Sequence, residues 1–151
     1  MKLTLQFLLV AGLLGSSLVL PAQHRPAAKA KPKPTTVPAL AASIGRGQVV
    51  YKNVCLTCHQ ADGYGVPNLN PPLTKTEYVL GDKTRLAYIV LAGLNEPLEI
   101  DGNSYHQAMP AQAYLTDQQV ADVLTYVRNK FGNKASAVQA AEVKAVRAGL
   151  K

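Results

Sequence analysis

The sequence predicts an all-α domain whose helices are joined by long loops. Helix signals occupy three segments, at about residues 44–54, 83–92 and 116–132. No stretch alternates apolar and polar residues at the period of a β-strand. Between the first two helices, residues 60–73 read QADGYGVPNLNPPL, and their glycines, prolines and asparagines predict irregular structure. Helices packed on a small core are therefore expected, with much of the chain in loops.

The chain begins with the layout of a secretory signal peptide over residues 1–22. Lys2 precedes an apolar run at 3–20, and Ala22 supplies a small residue before a cleavage point. The same run is close to the ~20 residues that cross a bilayer, so an uncleaved N-terminal anchor is the alternative. Either interpretation predicts an exported, periplasmic protein, which is membrane-anchored in the second case.

The basic residues in excess lie at the two ends of the chain. The formal net charge is +7, but residues 39–133 hold seven basic and eight acidic side chains. Lysine, proline and alanine dominate residues 23–38, which predicts an extended linker. The nearly neutral central domain argues against a nucleic-acid partner. If the N-terminus stays in the membrane, the basic linker would lie where it can contact anionic lipid.

The first two predicted helices have recognisable ends. Ser43 is a suitable N-cap for the first, in which Gly47 is a poor helix former that would suit close contact with another helix. Asp82 caps the second helix, residues 83–92, and Gly93 suits the position just after its end. Both helices also carry apolar residues one turn apart, so each has a face for the core.

The third helix has the clearest start, because Thr116 and Gln119 form a capping box. Apolar residues at 120, 123, 124 and 127 then recur at helical spacing, and Gly132 is expected to end the run. Residues 134–151 form a basic C-terminal extension with a weaker amphipathic helix at 137–148. Before the third helix, residues 101–102 are Asp-Gly and predict a tight turn between two short extended pieces.

The two cysteines, Cys55 and Cys58, stand in the sequence CLTCH with His59 directly after the second. A zinc site needs four ligands, and a redox pair is expected after a strand in a sheet-containing fold. A structural disulfide suits an exported protein but explains neither His59 nor the irregular loop that follows. The remaining interpretation is covalent attachment of c-type haem, in which both thiols form thioethers and the histidine binds iron.

Six-coordinate iron needs a second axial ligand, and the chain has one strong candidate. Its two methionines are Met1, which would leave with a signal peptide, and Met109, which lies in the loop before the third helix. His106 is the rival ligand three residues earlier, so a bis-histidine haem stays open. Taken alone, Met109 would more simply be interpreted as a core residue. Its occurrence together with the C-x-x-C-H motif favours its interpretation as an iron ligand.

The pattern resembles the class I bacterial cytochromes c, small mono-haem modules that accompany periplasmic dehydrogenases and oxidases. The segments that carry the resemblance are GRGQVVYKNVCLTCHQADGYGVPNLNPPL, LAGL and MPAQAYLTDQQVADVLTYVRNKFGN, within residues 43–133. The resemblance implies crossed N- and C-terminal helices and long loops wrapped round one covalent haem. Because the linker and residues 134–151 hold nearly all the excess charge, we also expect residues 39–133 to carry the haem alone and the extension not to touch it.

The resemblance also assigns roles to residues outside the motif. Gly47 and Tyr51 would pack against Val123 and Tyr126 where the terminal helices cross. A proline carbonyl would accept the Nδ1–H of His59, and Pro72 is the candidate, with Pro71 next. Two residues depart from the family pattern: Gln60 replaces a frequent glycine, and Tyr78 replaces a frequent tryptophan.

The function implied is transfer of one electron at a time between exported redox proteins by a low-spin His/Met haem. Dehydrogenases and oxidases are the expected partners, and an electron-relay subunit fixed in such a complex is the first alternative. An enzyme or gas sensor with a labile Met109 ligand is the second. Apart from the haem, no paired carboxylates and no Ser/His/Asp arrangement indicate catalysis, so the chain is expected to be an electron carrier and not an enzyme.

Overall fold

The computed structural model describes residues 36–150. The predicted signal peptide or anchor at 1–22, with Met1, and most of the predicted linker lie outside the described residues. The predicted C-terminal boundary of the linker, residue 38, is wrong, because helix α1 already begins at Val37 and spans Val37–Val50. Pro38 is compatible with the first turn of a helix, where its missing N–H has no partner to lose. Within residues 36–150 no helix has the length and apolar character needed to cross a bilayer.

Helical structure continues without a loop from α1 to the end of the cysteine motif. A π-helical turn at Tyr51–Cys55 follows α1, and helix α2 at Leu56–His59 follows the turn. A π turn inserts an extra residue and rotates everything after it around the helix axis. The π turn therefore sets the direction in which Cys58 and His59 leave the helix.

The middle of the chain contains two helices and a small hairpin. Helix α3 spans Glu77–Leu80, and α4 spans Lys83–Ala92 with the Asp82 side chain accepting from the Thr84 N–H. Strands β1, Leu98–Ile100, and β2, Asn103–Tyr105, pair antiparallel. Asp101 and Gly102 between them have φ values of 50° and 76°, as a tight hairpin turn requires. Apart from this hairpin and two isolated bridges, the regular secondary structure of residues 36–150 is helical, which confirms the all-α prediction.

Helix α5 spans Asp117–Val127 and starts with the expected capping box. It ends earlier than predicted, because Phe131 and Gly132 have φ values of 58° and 77° and turn the chain back. The Phe131 ring then packs 5.3 Å from Tyr51 and 5.7 Å from Tyr126, measured between ring centroids. This aromatic cluster closes one end of the contact between α1 and α5.

Helices α1 and α5 cross at Gly47, as the resemblance implied. A Cβ atom on Gly47 would lie 2.0 Å from the Asp122 carbonyl oxygen and 2.7 Å from the Tyr126 Cβ, so only glycine permits this approach. Beside the crossing, the buried Asp122 carboxylate accepts hydrogen bonds from Ser43 at 2.6 Å and from Arg46 at 2.6 and 2.8 Å. The crossing is thus held by close packing and by an ion pair between the buried Asp122 and the exposed Arg46.

The C-terminal extension belongs to the core of the domain. Helix α6 spans Ala140–Gly149, and both Val143 and the preceding Val138 are buried in the same hydrophobic cluster as α5. Thr125 of α5 accepts a hydrogen bond from the Val138 N–H at 3.0 Å. The predicted boundary at residue 133 is therefore not a boundary in packing. The sequence indicates only a basic extension at 134–151, because the residues that α6 packs against are distant in the chain and leave no local signal.

Candidate haem-binding site

A deep apolar cleft lies beside the cysteine motif. Its space, including solvent at the mouth, is about 1240 Å³. Its walls come from α3, α4, α5 and the loops between them, and the core residues among them are Val79, Leu86, Val90, Leu115, Val123, Leu124 and Val127. Val123, expected at the helix crossing, is thus part of this wall. Tyr78 also lines the cleft, with the Arg85 guanidinium 4.6 Å from the centre of its ring.

All three residues of the cysteine motif line this cleft. Cys55 is half-buried, Cys58 is exposed, and both are free thiols in the structure. Burial, reinforced by the neighbouring Cys58, raises the pKa of Cys55 to about 11. A redox-active Cys-x-x-Cys pair instead needs a lowered thiol pKa, because the thiolate is the nucleophile. The raised pKa of Cys55 thus argues against a redox pair, while the position of both cysteines in the cleft lining suits attachment to an apolar group there.

His59 is buried against the cleft and oriented by the backbone. Its Nδ1 lies 3.0 Å from the carbonyl oxygen of Pro71. Burial lowers the pKa of His59, an effect that the Pro71 hydrogen bond opposes. A neutral ring that donates from Nδ1 keeps the lone pair on Nε2, which is the form that binds a metal.

The acceptor for His59 is Pro71, so the assignment to Pro72 is wrong. The loop after His59 folds back closely, and a Cβ on Gly65 would lie 2.2 Å from the Asn70 oxygen and 2.7 Å from the Pro71 oxygen. The Gly65 N–H also donates to the His59 carbonyl at 3.1 Å. This close approach brings the Pro71 carbonyl to the ring, while Pro72 lines the cleft beyond it.

Gln60 has a backbone conformation that normally belongs to glycine. Its φ is 62° and its ψ is 167°. Its carbonyl accepts a hydrogen bond from the Tyr51 hydroxyl at 2.6 Å. The departure from the family pattern noted in the sequence therefore stands at a strained position, directly after the predicted iron ligand.

Met109 also lines the cleft, on a segment tied to the end of α4. Its N–H donates to the Leu94 carbonyl at 2.8 Å, and the Leu94 N–H donates to the Met109 carbonyl at 2.9 Å. Gly93 allows this approach, since a Cβ there would lie 2.7 Å from the Met109 oxygen. His106, the rival ligand, is exposed and is not among the residues that line the cleft.

Two further contacts of this loop region have no signal in the sequence. The Gln107 N–H donates to the Leu69 carbonyl at 3.2 Å. This hydrogen bond joins residues 107–116, called the Met109 segment below, to the loop after His59. Buried Asn133 donates to the carbonyls of Leu73 and Val127, each at 2.8 Å, and accepts from the Lys75 N–H at 2.7 Å. Asparagine after a helix gives no local indication of such distant partners.

The residues present fit a haem. The cleft is lined mainly by apolar side chains, and Cys55, Cys58, His59 and Met109 are all among its lining residues. Imidazole and thioether together form an axial ligand pair that favours ferrous iron and raises the reduction potential of c-type haems. The fold and this cleft together define a small helical haem-binding protein.

Comparison with known proteins supports the same class. The cytochrome c family model matches residues 44–130. Cytochrome c-552 of Thermus thermophilus is 32% identical over 98 residues, which are 62% of this chain and 66% of that protein. The chain therefore belongs to the cytochrome c family of electron carriers, and its cofactor is covalently attached haem c.

Larger proteins contain similar segments. The cytochrome c subunit of alcohol dehydrogenase (quinone) of Gluconobacter oxydans strain 621H is 35% identical over 105 residues, 67% of this chain and 22% of that subunit. The cytochrome c subunit of gluconate 2-dehydrogenase of Pantoea cypripedii is 38% identical over 105 residues, 67% of this chain and 24% of that subunit. The chain thus spans about a quarter or less of these subunits and just under two thirds of cytochrome c-552.

Proposed function

We propose that this chain is a mono-haem electron carrier in which Cys55 and Cys58 attach the haem and His59 and Met109 are the axial iron ligands. When bound, the haem supplies an iron that changes between the ferrous and ferric states by one electron. The observation that carries the proposal is the pair of hydrogen bonds between Met109 and Leu94, at 2.8 and 2.9 Å. A methionine on a fixed backbone can hold the sixth position closed.

The protein's own residues have three tasks in this function. Cys55 and Cys58 prevent loss of the cofactor, since thioether bonds do not dissociate as non-covalent contacts do. The Pro71 carbonyl fixes the plane of the His59 ring and makes the ring a stronger donor. The apolar walls exclude water, which keeps the surroundings of the iron nearly unchanged when its charge changes and so favours fast electron transfer.

A closed sixth position also favours a carrier over the enzyme and gas-sensor alternatives. A haem enzyme or sensor needs an open iron position or a ligand that leaves readily. The Met109 segment is instead held by Leu94 and by the Gln112 N–H, which donates to the Val90 carbonyl at 2.8 Å. We therefore infer that the domain transfers electrons without converting a substrate of its own.

The expected partners are other exported redox proteins. Relatives named as cytochrome c subunits of dehydrogenases support a dehydrogenase as one partner and leave a fixed relay subunit as the second form of this function. The signal-like layout of residues 1–22 supports a periplasmic location, with a membrane tether if that segment is not cleaved. Fractionation of cells into membrane and soluble parts tests the membrane tether. Size-exclusion chromatography of the native protein then distinguishes a free carrier from a fixed subunit, because a fixed subunit elutes with its complex.

Covalent attachment is tested on a denaturing gel stained for haem. The stain should move with the polypeptide, and acid–acetone should not extract the colour. Replacement of either Cys55 or Cys58 by serine should leave one thioether or no holoprotein, and His59→Ala should prevent stable assembly. Colour that is extracted from the wild-type protein would disprove covalent attachment.

The ligand assignment is tested by comparing Met109→Ala with His106→Ala. Met109→Ala should open the iron to carbon monoxide, remove the sulfur-to-iron charge-transfer band and lower the reduction potential by roughly 100 mV, or about 2 kcal/mol for one electron. His106→Ala should change none of these, because its side chain lies outside the cleft lining. The opposite pattern would support bis-histidine ligation, and fast, complete carbon monoxide binding by the wild type would support a sensor or enzyme.

A further inference from the structure

The C-terminal helix carries an arginine that contacts the segment following Met109. Helix α6 lies beyond residues 44–130, the part matched by the family model. Arg147 follows the fully buried Val143 by four residues, so both lie on the face of α6 that meets the domain. The packing of Val143 against the domain thus also places the backbone of Arg147 close to the domain surface.

The Arg147 guanidinium makes three directed hydrogen bonds. Nη1 donates to the Ala113 carbonyl at 2.8 Å, and Nη2 donates to the Leu115 carbonyl at 2.6 Å. Nε donates to the Asp117 carboxylate at 2.7 Å. A planar guanidinium can donate to three such acceptors at once. A lysine ammonium donates from a single nitrogen and cannot reach the same three acceptors in these directions.

Two of these acceptors, Ala113 and Leu115, lie on the short connection between Met109 and α5, and the third, Asp117, is the first residue of α5. Ala113 is four residues after Met109, and the Leu115 side chain is buried in the wall of the cleft. Residues 110–116 contain no helix or strand, so no regular hydrogen-bond ladder fixes this connection. Its inner side is tied by Gln112 to the end of α4, and its outer side is tied by Arg147.

We propose that Arg147 is a positioning residue for the Met109 ligand. By holding the connection from the outside, it keeps the segment closed and so keeps the sulfur at the iron. Since Arg147 can position a ligand only if Met109 is one, this proposal rests on the proposed function. The C-terminal extension would then tune the haem through a side chain that does not line the haem cleft.

The test measures how fast imidazole replaces Met109 in the ferric holoprotein. Imidazole can bind only after the sulfur leaves, so the rate at saturating imidazole reports how often the Met109 segment opens. Arg147→Gln should raise that rate about tenfold, which corresponds to about 1.4 kcal/mol. Arg147→Lys, which keeps the charge near Asp117 but not the fork to both carbonyls, should give an intermediate rate.

Lys83→Met is the matched control. Lys83 also ties α6 to the domain, with Nζ 2.5 Å from the Glu142 carboxylate and 3.3 Å from the Ala137 carbonyl, and neither of these hydrogen bonds involves residues 109–116. It should lower stability to denaturant and leave imidazole exchange at the wild-type rate. Equal acceleration by Lys83→Met and Arg147→Gln would overturn the proposal, since general loosening of α6 would then explain both.

Two further results keep the positioning role separable from the ligand role. If Met109→Ala leaves the wild-type spectrum unchanged, the ligand assignment fails and the proposal fails with it. If Met109→Ala abolishes the sulfur band but the Arg147 variants exchange at the wild-type rate, only the positioning role is overturned. Should Arg147→Gln fail to yield holoprotein, Arg147→Lys decides the question alone, because a wild-type exchange rate in that variant overturns the proposal.

Discussion

Replacement of Gln60 by glycine should stabilise the protein, although it removes a side chain next to an iron ligand. Gln60 has φ 62° and ψ 167°, a region that is occupied almost only by glycine and costs other residues about 1–3 kcal/mol. Against this gain, glycine adds about 0.5–1 kcal/mol of unfolded-chain entropy. The lost side-chain hydrogen bond, from Nε2 to the Thr57 carbonyl at 3.1 Å, is exposed and worth about 0.5 kcal/mol.

The expected net gain in the free energy of unfolding is therefore about 1 kcal/mol, or a rise of about 4 °C in Tm. Gln60→Ala is the matched control, because it removes the same side chain and hydrogen bond but keeps a Cβ and hence the strain. Unfolding of both holoproteins in guanidinium chloride, followed by circular dichroism and by haem absorbance, gives the two free energies.

The comparison between the two variants decides the interpretation. If Gln60→Gly is no more stable than Gln60→Ala, the backbone at this position is not strained in the folded protein. The reduction potential should stay at the wild-type value in both variants, because the Gln60 carbonyl that accepts the Tyr51 hydroxyl is part of the backbone.

Three other substitutions test the fold around the site. Gly47→Ala should cost about 1–3 kcal/mol of stability, because its Cβ would meet the Asp122 carbonyl at 2.0 Å; an unchanged denaturation midpoint would contradict the close crossing. Asn133→Ala should cost about 3 kcal/mol by removing the buried hydrogen bond to the Val127 carbonyl and the half-buried bonds to the Leu73 carbonyl and the Lys75 N–H, and a loss below about 1 kcal/mol in the same assay would show that water replaces the amide. Burial raises the pKa of Tyr51, so its contribution to stability is present below about pH 10 and is lost as the unfolded phenol ionises above it. Denaturation between about pH 8 and 11 should therefore show a steeper loss in the wild type than in Tyr51→Phe, and equal slopes would exclude this origin.

The parts of the fold with local signals could be predicted from the sequence. Helix α4 has the predicted bounds, residues 83–92, because Asp82 and Gly93 mark its two ends chemically. The start of α5 is equally clear from its capping box, and the hairpin turn from Asp101-Gly102. In each case the residues that stop or start the element lie within it or next to it.

The parts set by tertiary contacts could not be predicted. The choice of Pro71 over Pro72 depends on Gly65, since two adjacent prolines give the same local signal. The π turn after α1 has no distinct sequence pattern, although it orients the whole cysteine motif. The contacts of Arg147 join residues far apart in the chain. The roles of the cysteines, His59 and Met109 at the iron stay predictions, while their shared position at one cleft is a property of the structure.

The apolar wall of the cleft is also much of the hydrophobic core. Val79, Leu86, Val90, Leu115 and Val127 belong both to the core cluster and to the cleft lining. A polypeptide that has not yet received its cofactor therefore exposes side chains that the finished protein hides, and its folding equilibrium shifts toward open, protease-accessible forms. Haem attachment should therefore be coupled to folding, and chains without haem should be cleaved by proteases faster than the holoprotein.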